Sequence, residues 1–362
     1  MAPSATSPQT MTAKSEGTAP LPLISLEPLL DPTSPQAHQA SHALLSAFRT
    51  SGFLYLTNYS SLIPRSDIDK VFHASAHFFA RPQPQKDSVA LPSPTSNRGY
   101  QRPGREKVSL AATAADVARE RQQTGDDMKE TYEIGSPAAR PGNPQPWPDA
   151  LDEAGVAFRT TMQDFFLKCQ ELHLVLMRGI AVGMGLDIHF FDPMLDVGDN
   201  NLRLLHYPSV PAGGFEGGKR MRAGAHSDYG TLTFLFQDKR GGLQVEKADD
   251  GGGGGWMDVE PRPDTIVVNA GDLMARWSND LIRSTKHRVV EPPHTTSTTT
   301  STTSTTSKAH PPRYSVAYFC NPNYEAWIEA LPGTFEEEGG KRYEGINSRD
   351  YLFGRLNATV GA

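Results

Sequence analysis

Three residues in the second half of the chain have the types and spacing of metal ligands. His226 and Asp228 form a His-x-Asp pair at the start of the alternating apolar stretch HSDYGTLTFLF, and His287 begins the β-branched run HRVV. Two histidines and one carboxylate on one face of a metal are typical of non-haem Fe(II) sites that activate O2. The His-x-Asp spacing alone is a weak signal, so the prediction depends on a third ligand returning beside the pair.

An arginine and a serine further along suggest a site for an anion. Arg313, Ser315 and Phe319 alternate in the strand-like segment RYSVAYF, so their side chains share one face. An inward-facing arginine needs an anionic partner, because an unpaired buried charge is costly. No carboxylate of the sequence is an obvious partner. We therefore expect the guanidinium group and the nearby hydroxyl to bind a carboxylate of a ligand.

The elements that must position these residues change in character along the chain. Apolar residues repeat at helical spacing in the first half and are followed by short β-like runs separated by Gly, Pro, Asn and Asp. This order predicts a mainly β barrel or sandwich with helices outside it. An extended segment is expected at 20–28, helices at 35–50, 65–80 and 149–185, and strands at 53–57, 201–207, 231–236, 242–246, 265–269, 285–290 and 313–319.

Composition limits the classes of function. The chain has 362 residues and a net charge of −6, and it lacks a dense Lys/Arg patch, which argues against nucleic-acid or anionic-membrane partners. Two cysteines imply no disulfide framework and fit a reducing compartment. No apolar run approaches the ~20 residues of a membrane helix, and the N-terminus has no apolar signal segment. We expect a cytoplasmic protein without an obligate protein partner.

Low-complexity segments delimit the organisation of the chain. Residues 1–19 are expected to be a disordered tail, and residues 294–310, which include a Ser/Thr-only tract, a disordered insertion. Residues 20–150 are interpreted as an N-terminal helical and strand region. Residues 151–362 are interpreted as the barrel domain that carries the candidate site. A glycine run after Asp250 is expected to form a hairpin tip.

The ordered set of His-x-Asp, distal histidine and Arg-x-Ser resembles the 2-oxoglutarate/Fe(II) dioxygenases of the isopenicillin N synthase-like family. The resemblance covers nearly the whole chain from about residue 20 and is strongest with the fungal thymine dioxygenase (thymine 7-hydroxylase) branch. Further matching segments are SGFLYLTN (51–58), NRGYQRPGREK (97–107), DMKETYEIG (127–135), IAVGMGLD (180–187), DVGDNNLRLLHYPSV (196–210), NAGDLMARWSND (269–280) and YFCNPN (318–323).

The resemblance implies a fold, cofactors and a reaction. The family fold is a double-stranded β-helix, or jelly-roll barrel, with flanking α-helices. His226, Asp228 and His287 would hold Fe(II), and 2-oxoglutarate would chelate the iron and place its distal carboxylate on Arg313 and Ser315. O2 would be the second co-substrate, ascorbate would support the reduced iron, and succinate and CO2 would be released as a substrate C–H bond is hydroxylated.

Other residues are candidates for contacts with the co-substrate and a small-molecule substrate. Tyr207 stands where the family often contacts 2-oxoglutarate, but Leu205 replaces the asparagine that the family frequently has two residues before it. Arg203 shares the parity of Tyr207, Tyr229 follows the metal-site aspartate, and Phe319 shares the parity of Arg313. Asn97 lies in a loop that could reach the pocket.

An arginine and two aromatic rings suit a flat, carbonyl-bearing heterocycle. A thymine-like pyrimidine is favoured, and a nicotinate-derived pyridine or another small metabolite of a fungal pathway also fits.

Alternative interpretations remain open at this point. A zinc hydrolase could use the same triad but has no use for Arg313 and Ser315. An oxidase independent of 2-oxoglutarate or a non-catalytic binding barrel could keep both features. Arg203 could form an intramolecular ion pair, and Tyr229 and Phe319 could be core aromatics. His206 is expected to point away from the cavity. The other residues set aside are interpreted as structural or exposed histidines (His73, His77 and His173), ordinary charged residues before a strand (Lys129 and Glu130) and small core residues (Cys169 and Cys320).

Overall fold

The computed structural model describes most of the chain. The described residues are 21–93, 96–104, 119, 127–138, 143–211, 221–247, 254–290, 310–336 and 340–360. The predicted tail at 1–19, the predicted insertion up to residue 309 and most of the glycine run lie outside these ranges. Within them, no helix has the length and apolar character needed to cross a membrane.

The helices and strands follow the predicted order. The helices are α1 (Pro35–Thr50), α2 (Arg65–Phe79), α3 (Gln83–Asp87), α4 (Glu153–Gly183), α5 (Asp272–Trp277) and α6 (Ser348–Val360). The strands are β1 (Leu23–Ser25), β2 (Phe53–Thr57), β3 (Gly99–Gln101), β4 (Glu130–Gly135), β5 (Asn201–Tyr207), β6 (Ala223–His226), β7 (Leu232–Gln237), β8 (Leu243–Glu246), β9 (Trp256–Asp258), β10 (Ile266–Ala270), β11 (His287–Val289), β12 (Arg313–Cys320), β13 (Trp327–Ile328) and β14 (Ile346–Asn347).

Two sheets enclose the space in which the candidate site lies. The large sheet has eight strands in the order β1-β2-β10-β7-β12-β5-β4-β3, and the small sheet has four in the order β6-β11-β8-β9. Phe53 and Val267 of the large sheet and Val245 and Val289 of the small sheet belong to one buried apolar cluster, so the sheets pack face to face. The prediction of a mainly β jelly roll with flanking helices is confirmed.

Strand alternation separates the two faces of the large sheet. On β12, Val316 and Tyr318 belong to the apolar core that also contains residues of α1, α2 and α4, while Ala317 belongs to a separate cluster on the opposite face. Arg313 and Ser315 share the parity of Ala317, and both are 1% exposed. The period-two pattern therefore sends the polar residues of β12 into the space between the sheets.

Glycine at position 52 allows a tight passage from α1 into β2. Its φ is +69°, and a Cβ atom there would lie 2.4 Å from the Thr285 hydroxyl oxygen and 2.5 Å from the Arg283 carbonyl oxygen. The passage places β2 against the segment that leads to His287. Gly52 therefore matters for both the left-handed backbone and the close approach.

The interpretation of Lys129 and Glu130 as ordinary charged residues is wrong. They are 5% and 4% exposed. Glu130 accepts hydrogen bonds from Lys86 at 2.8 Å and from Tyr100, and it bonds the His206 ring at 2.7 Å. These partners are distant in sequence, so local composition could not reveal the burial.

Candidate functional site

The three predicted metal ligands converge at one end of the space between the sheets. His226 ends β6 and His287 begins β11, and the two residues are direct partners in the antiparallel pairing of these strands. Asp228 lies in the turn that leads into β7. The donor atoms of the three side chains all lie within 4.8 Å of one another. Among the residues that the structure describes, this is the one His/Cys/Asp/Glu cluster with metal-binding spacing.

The distances fit a metal ion with a small adjustment. The Nε2 atoms of His226 and His287 lie 3.9 and 3.7 Å from Asp228 Oδ1. Imidazole nitrogen and carboxylate oxygen bind first-row metals at about 2.1 Å, so ligands at right angles lie about 3 Å apart. Each histidine therefore needs to approach the Asp228 oxygen by less than about 1 Å. The donor set, two imidazoles and one carboxylate, suits Fe(II) with open positions opposite the ligands.

Backbone carbonyls orient both histidine rings. His226 Nδ1 lies 2.7 Å from the Gly224 carbonyl oxygen, and His287 Nδ1 lies 3.3 Å from that of Thr285. Donation from Nδ1 to a carbonyl leaves Nε2 unprotonated and turned toward the shared centre. The His287 ring also packs edge-on against Phe53, with ring centroids 5.4 Å apart.

Burial and neighbouring groups keep His226 and Asp228 in the protonation states that bind metal. Burial, together with a smaller contribution from the neighbouring His287, lowers the pKa of His226 to about 3. Burial would raise the pKa of Asp228, but the adjacent His287 and His226 outweigh it and the net shift is downward. Asn269 also donates to Asp228 Oδ2 at 2.7 Å. A neutral His226 imidazole and an ionised Asp228 carboxylate follow.

Arg313 lies deeper in the same space with donor capacity to spare. Its Nε donates to the Gly241 carbonyl at 3.1 Å, and its Nη1 donates to Ser315 Oγ at 3.2 Å. Its Nη2 is buried and has no hydrogen-bond partner among the residues that the structure describes. A buried guanidinium nitrogen without a partner is costly, so the arrangement fits a carboxylate supplied by a ligand.

Tyr207 and Leu205 line this deeper part of the space. They are the register partners of Arg313 and Ser315 on the neighbouring strand. The Tyr207 ring lies 5.0 Å from the Arg313 guanidinium carbon. Leu205 packs with Tyr207 and Ala317. Its apolar side chain cannot make the hydrogen bond of the asparagine that the family frequently has at this position.

A pocket opens beside the metal cluster and contains the predicted substrate residues. The pocket is open to solvent, and the empty space in and in front of it is about 570 Å³. The metal end of the site forms one part of the pocket lining. The rest of the lining includes Asn97, Arg203, Tyr229 and Phe319, and Leu352 and Leu356 of α6. Sequence reasoning did not predict α6 or its contribution to the pocket.

Arg203 both faces the pocket and forms the ion pair considered as an alternative. Its Nε lies 2.7 Å from Glu133 Oε1, and the Glu133 side chain is 1% exposed. Asn201 donates to Glu133 Oε2 at 2.7 Å, and Arg98 donates to the Asn201 side-chain oxygen at 3.2 Å. The guanidinium carbon of Arg203 lies 5.3 Å from the Phe319 ring centre. The pair holds the arginine in place at the pocket wall.

Tyr229 and Asn97 occupy other parts of the pocket wall. The Tyr229 ring lies 4.7 Å from the guanidinium carbon of Arg355 on α6. Asn97 adopts a left-handed backbone conformation with φ of +47°, which a non-glycine residue rarely does. Tyr229 and Phe319 are half-buried. Both therefore present ring surface to the pocket.

Two buried cations near the deep end were missed. Arg222 is fully buried beside the Tyr207 ring, and Lys129 pairs with Asp127 at 3.2 Å. Arg222, Gly224 and His226 are alternate residues. The pairing of β6 with β11 contains a register shift between His226 and Ala223, so simple alternation from the metal-site histidine does not predict where Arg222 faces.

The remaining predictions of structural residues agree with their surroundings. His206 faces the helices and stacks on Tyr314 with ring centroids 4.6 Å apart. His173 is buried and hydrogen-bonded to Thr231 at 2.9 Å, and burial lowers its pKa to about 3. Cys169 and Cys320 are buried free thiols.

Family models match most of the chain. Residues 198–322 match the 2OG-Fe(II) oxygenase superfamily, and residues 21–150 match the N-terminal region described as that of a non-haem dioxygenase in morphine synthesis. The first range contains His226, Asp228, His287, Arg313 and Ser315. Both matches agree with the resemblance read from the motifs.

Curated relatives and solved structures add to these matches. A 2-oxoglutarate-Fe(II) type oxidoreductase, ppzD of Metarhizium rileyi, is 35% identical over 332 residues, 90% of this chain and 87% of its own length. The proline hydroxylase buaE of Petromyces alliaceus is 35% identical over 321 residues, 87% of this chain and 92% of its own length. The crystal structure of the full-length thymine 7-hydroxylase of Neurospora crassa with α-ketoglutarate and thymine is 46% identical, with a TM-score of 0.81 over 96% of this chain and 99% of that chain.

Proposed function

The chain belongs to the 2OG-Fe(II) oxygenase superfamily, and we propose that it hydroxylates a C–H bond of a small planar nitrogen heterocycle. A thymine-like pyrimidine is the favoured substrate. It is a 2-oxoglutarate- and Fe(II)-dependent dioxygenase that uses O2. Succinate and CO2 are the products of the co-substrate. The heterocycle is proposed because the metal-capable triad and the ring surfaces of Tyr229 and Phe319 line one pocket.

In the proposal, His226, Asp228 and His287 hold Fe(II). Bound Fe(II) supplies the activation of O2 that is coupled to the decarboxylation of 2-oxoglutarate. The chain's own contribution is to fix the ligands, as the carbonyls behind the histidines and Asn269 behind Asp228 do. Arg313 and Ser315, beside Tyr207, hold the distal carboxylate of 2-oxoglutarate. The buried Arg313 Nη2, which has no hydrogen-bond partner within the described part of the chain, supports this assignment.

The pocket wall positions the substrate. Tyr229 and Phe319 give ring surfaces for stacking on a flat heterocycle. Arg203, held by Glu133 at 2.7 Å, donates to a ring carbonyl, and Asn97 is placed for a further polar contact. Leu352 and Leu356 of α6 cover the pocket with apolar surface, which limits the access of water to the reacting C–H bond.

The similarity to the Neurospora crassa thymine 7-hydroxylase, at 46% identity over nearly the whole chain, supports a pyrimidine substrate. A nicotinate-derived pyridine would use the same arginine and aromatic contacts. Proline is a third candidate substrate to compare, because the relative buaE is a proline hydroxylase. The two half-buried rings favour a planar substrate over a saturated one.

The cellular setting and the organisation of the chain also belong to the proposal. We place the enzyme in the cytoplasm, acting on a free small molecule without a nucleic-acid, membrane or obligate protein partner. Residues 20–150 form the N-terminal region and residues 151–362 the jelly-roll domain. Strands from both ranges pair in the large sheet, since β4 lies beside β5.

Succinate release with a panel of substrates tests the proposal. The enzyme is reconstituted anaerobically with Fe(II) and ascorbate, then given 2-oxoglutarate, O2 and either thymine, a hydroxylated nicotinate or proline. Strong stimulation by thymine with a hydroxymethyl product is expected. Stimulation by another compound alone would replace the substrate, and turnover independent of 2-oxoglutarate would contradict the proposed chemistry.

A further inference from the structure

Arg222 lies at the deep end of the space between the sheets, where the distal part of the co-substrate is proposed to bind. Its side chain is fully buried, and its guanidinium carbon lies 5.7 Å from the Tyr207 ring centre. Arg313 lies 5.0 Å from the same ring. Two guanidinium groups therefore meet at one tyrosine, inside the barrel.

Arg222 immediately precedes β6, the strand whose last residue is the metal-site His226. The pairing of β6 with β11 contains a register shift, so the place of Arg222 in the fold is given by its contact with Tyr207 and not by strand alternation. The 2-oxo acid end of the co-substrate is proposed to lie at the metal cluster. Its far carboxylate then points toward the end of the space that Arg222 and Arg313 share.

Two buried positive groups that both contact one tyrosine ring favour an anionic ligand beside them, in addition to the negative charge of Asp238 that already acts on Arg222. The pKa of Arg222 falls to about 10, because burial disfavours the charged guanidinium and the positive charge of Arg313 adds to the effect. A carboxylate between or beside the two groups would reverse both contributions. Anionic ligands are the partners that paired arginines bind most strongly.

We propose that Arg222 binds the distal carboxylate of 2-oxoglutarate together with Arg313, so that two guanidinium groups select a dicarboxylic co-substrate. The inference rests on the proposed role of Arg313 and Ser315 in holding that carboxylate. Arg222 also donates through Nη2 to the Pro311 carbonyl at 3.0 Å. That bond orients the side chain from the segment that leads into β12.

Comparing two ligands across Arg222 variants tests the contact between Arg222 and the distal carboxylate. Binding is measured by isothermal titration calorimetry on Mn(II)-loaded protein without O2, with 2-oxoglutarate and with 2-oxopentanoate, which has a methyl group in place of the distal carboxylate. The variants are Arg222→Gln and the charge-keeping Arg222→Lys. Arg81→Gln is the matched control, because Arg81 is a buried arginine that pairs with Asp152 at the start of α4. Circular dichroism verifies folding.

Arg222→Gln should weaken 2-oxoglutarate binding about 10- to 100-fold, the range for a lost charge-assisted hydrogen bond, and Arg222→Lys by less. Binding of 2-oxopentanoate should change less than about 2-fold in both variants, since it lacks the group that Arg222 contacts. Equal losses for the two ligands, or unchanged 2-oxoglutarate binding in both folded variants, would overturn the role of Arg222.

The Arg313→Lys variant is titrated in parallel. It distinguishes a failure of the role inferred for Arg222 from a failure of the carboxylate site proposed at Arg313. If Arg313→Lys also leaves 2-oxoglutarate binding unchanged, the proposed carboxylate site itself is wrong. If Arg313→Lys weakens binding and both Arg222 variants do not, only the role of Arg222 fails.

Discussion

Replacing Glu133 with glutamine should damage substrate recognition more than the metal site. Glu133 is 1% exposed and forms the 2.7 Å ion pair with Arg203 at the pocket wall. The glutamine keeps the shape and one acceptor for the Asn201 side chain but removes the charge that holds the guanidinium. We expect Arg203 to lose its fixed direction toward a ring carbonyl.

The magnitude follows from the geometry. Two unit charges 2.7 Å apart attract by about 6 kcal/mol at an effective dielectric constant of about 20. Breaking a buried pair costs about 3–5 kcal/mol. Because glutamine keeps an acceptor and the pocket admits water to Arg203, we expect the free energy of unfolding to fall by about 2–3 kcal/mol. The KM for the heterocycle should rise about 10-fold, the equivalent of about 1.4 kcal/mol.

Urea denaturation and substrate-stimulated succinate release measure these two effects. Glu329→Gln is the control, because Glu329 is an exposed partner of Lys341 and its substitution should change neither quantity. Mn(II) affinity should be unchanged in both variants. A Glu133→Gln enzyme with wild-type stability and an unchanged KM would refute the view that this pair orients the substrate-binding arginine.

Four further perturbations address other parts of the structure. Asp228→Ala should reduce Mn(II) affinity by more than about 100-fold in calorimetry, since it removes one of three ligands; retained affinity would exclude Asp228 from the metal site. Asn269→Ala frees the Asp228 carboxylate and should reduce the same affinity about 10- to 100-fold, and an unchanged affinity would count against its orienting role. Gly52→Ala should lower the free energy of unfolding by about 2 kcal/mol or more in urea denaturation, because of the left-handed backbone and the clash with Thr285; equal stability would contradict the close approach. Leu352→Asp should increase succinate release that is not matched by hydroxylated product, because water gains access under α6; tight coupling in this variant would show that α6 does not shield the site.

The sequence was informative wherever residue type and strand parity decided the outcome. His226, Asp228 and His287 have side chains suited to a metal, and they converge in the fold. Arg313 and Ser315 share a face because strands alternate, and the structure buries both. The alternating pattern was a reliable guide in the central strands of the large sheet, because one face of that sheet packs on the helices and the other faces the site.

Long-range contacts account for what the sequence could not supply. Glu130 looks like a surface charge until Lys86 and His206 are brought beside it by the fold. Strands β6 and β9 have only four and three residues, too short for a periodic signal. The covering of the pocket by α6 depends on where the C-terminal residues pack, which local periodicity does not encode.

Oxygen-isotope labelling tests the central claim most directly. The Fe(II) enzyme is given 2-oxoglutarate, thymine and ¹⁸O2, and succinate and the heterocyclic product are analysed by mass spectrometry. The proposed chemistry predicts one labelled oxygen atom in succinate and one in a hydroxymethyl product, formed in equal amounts, and an Arg313→Lys enzyme that needs more 2-oxoglutarate for the same result. A hydroxylated product without succinate, or succinate whose formation does not respond to any heterocycle, would contradict it.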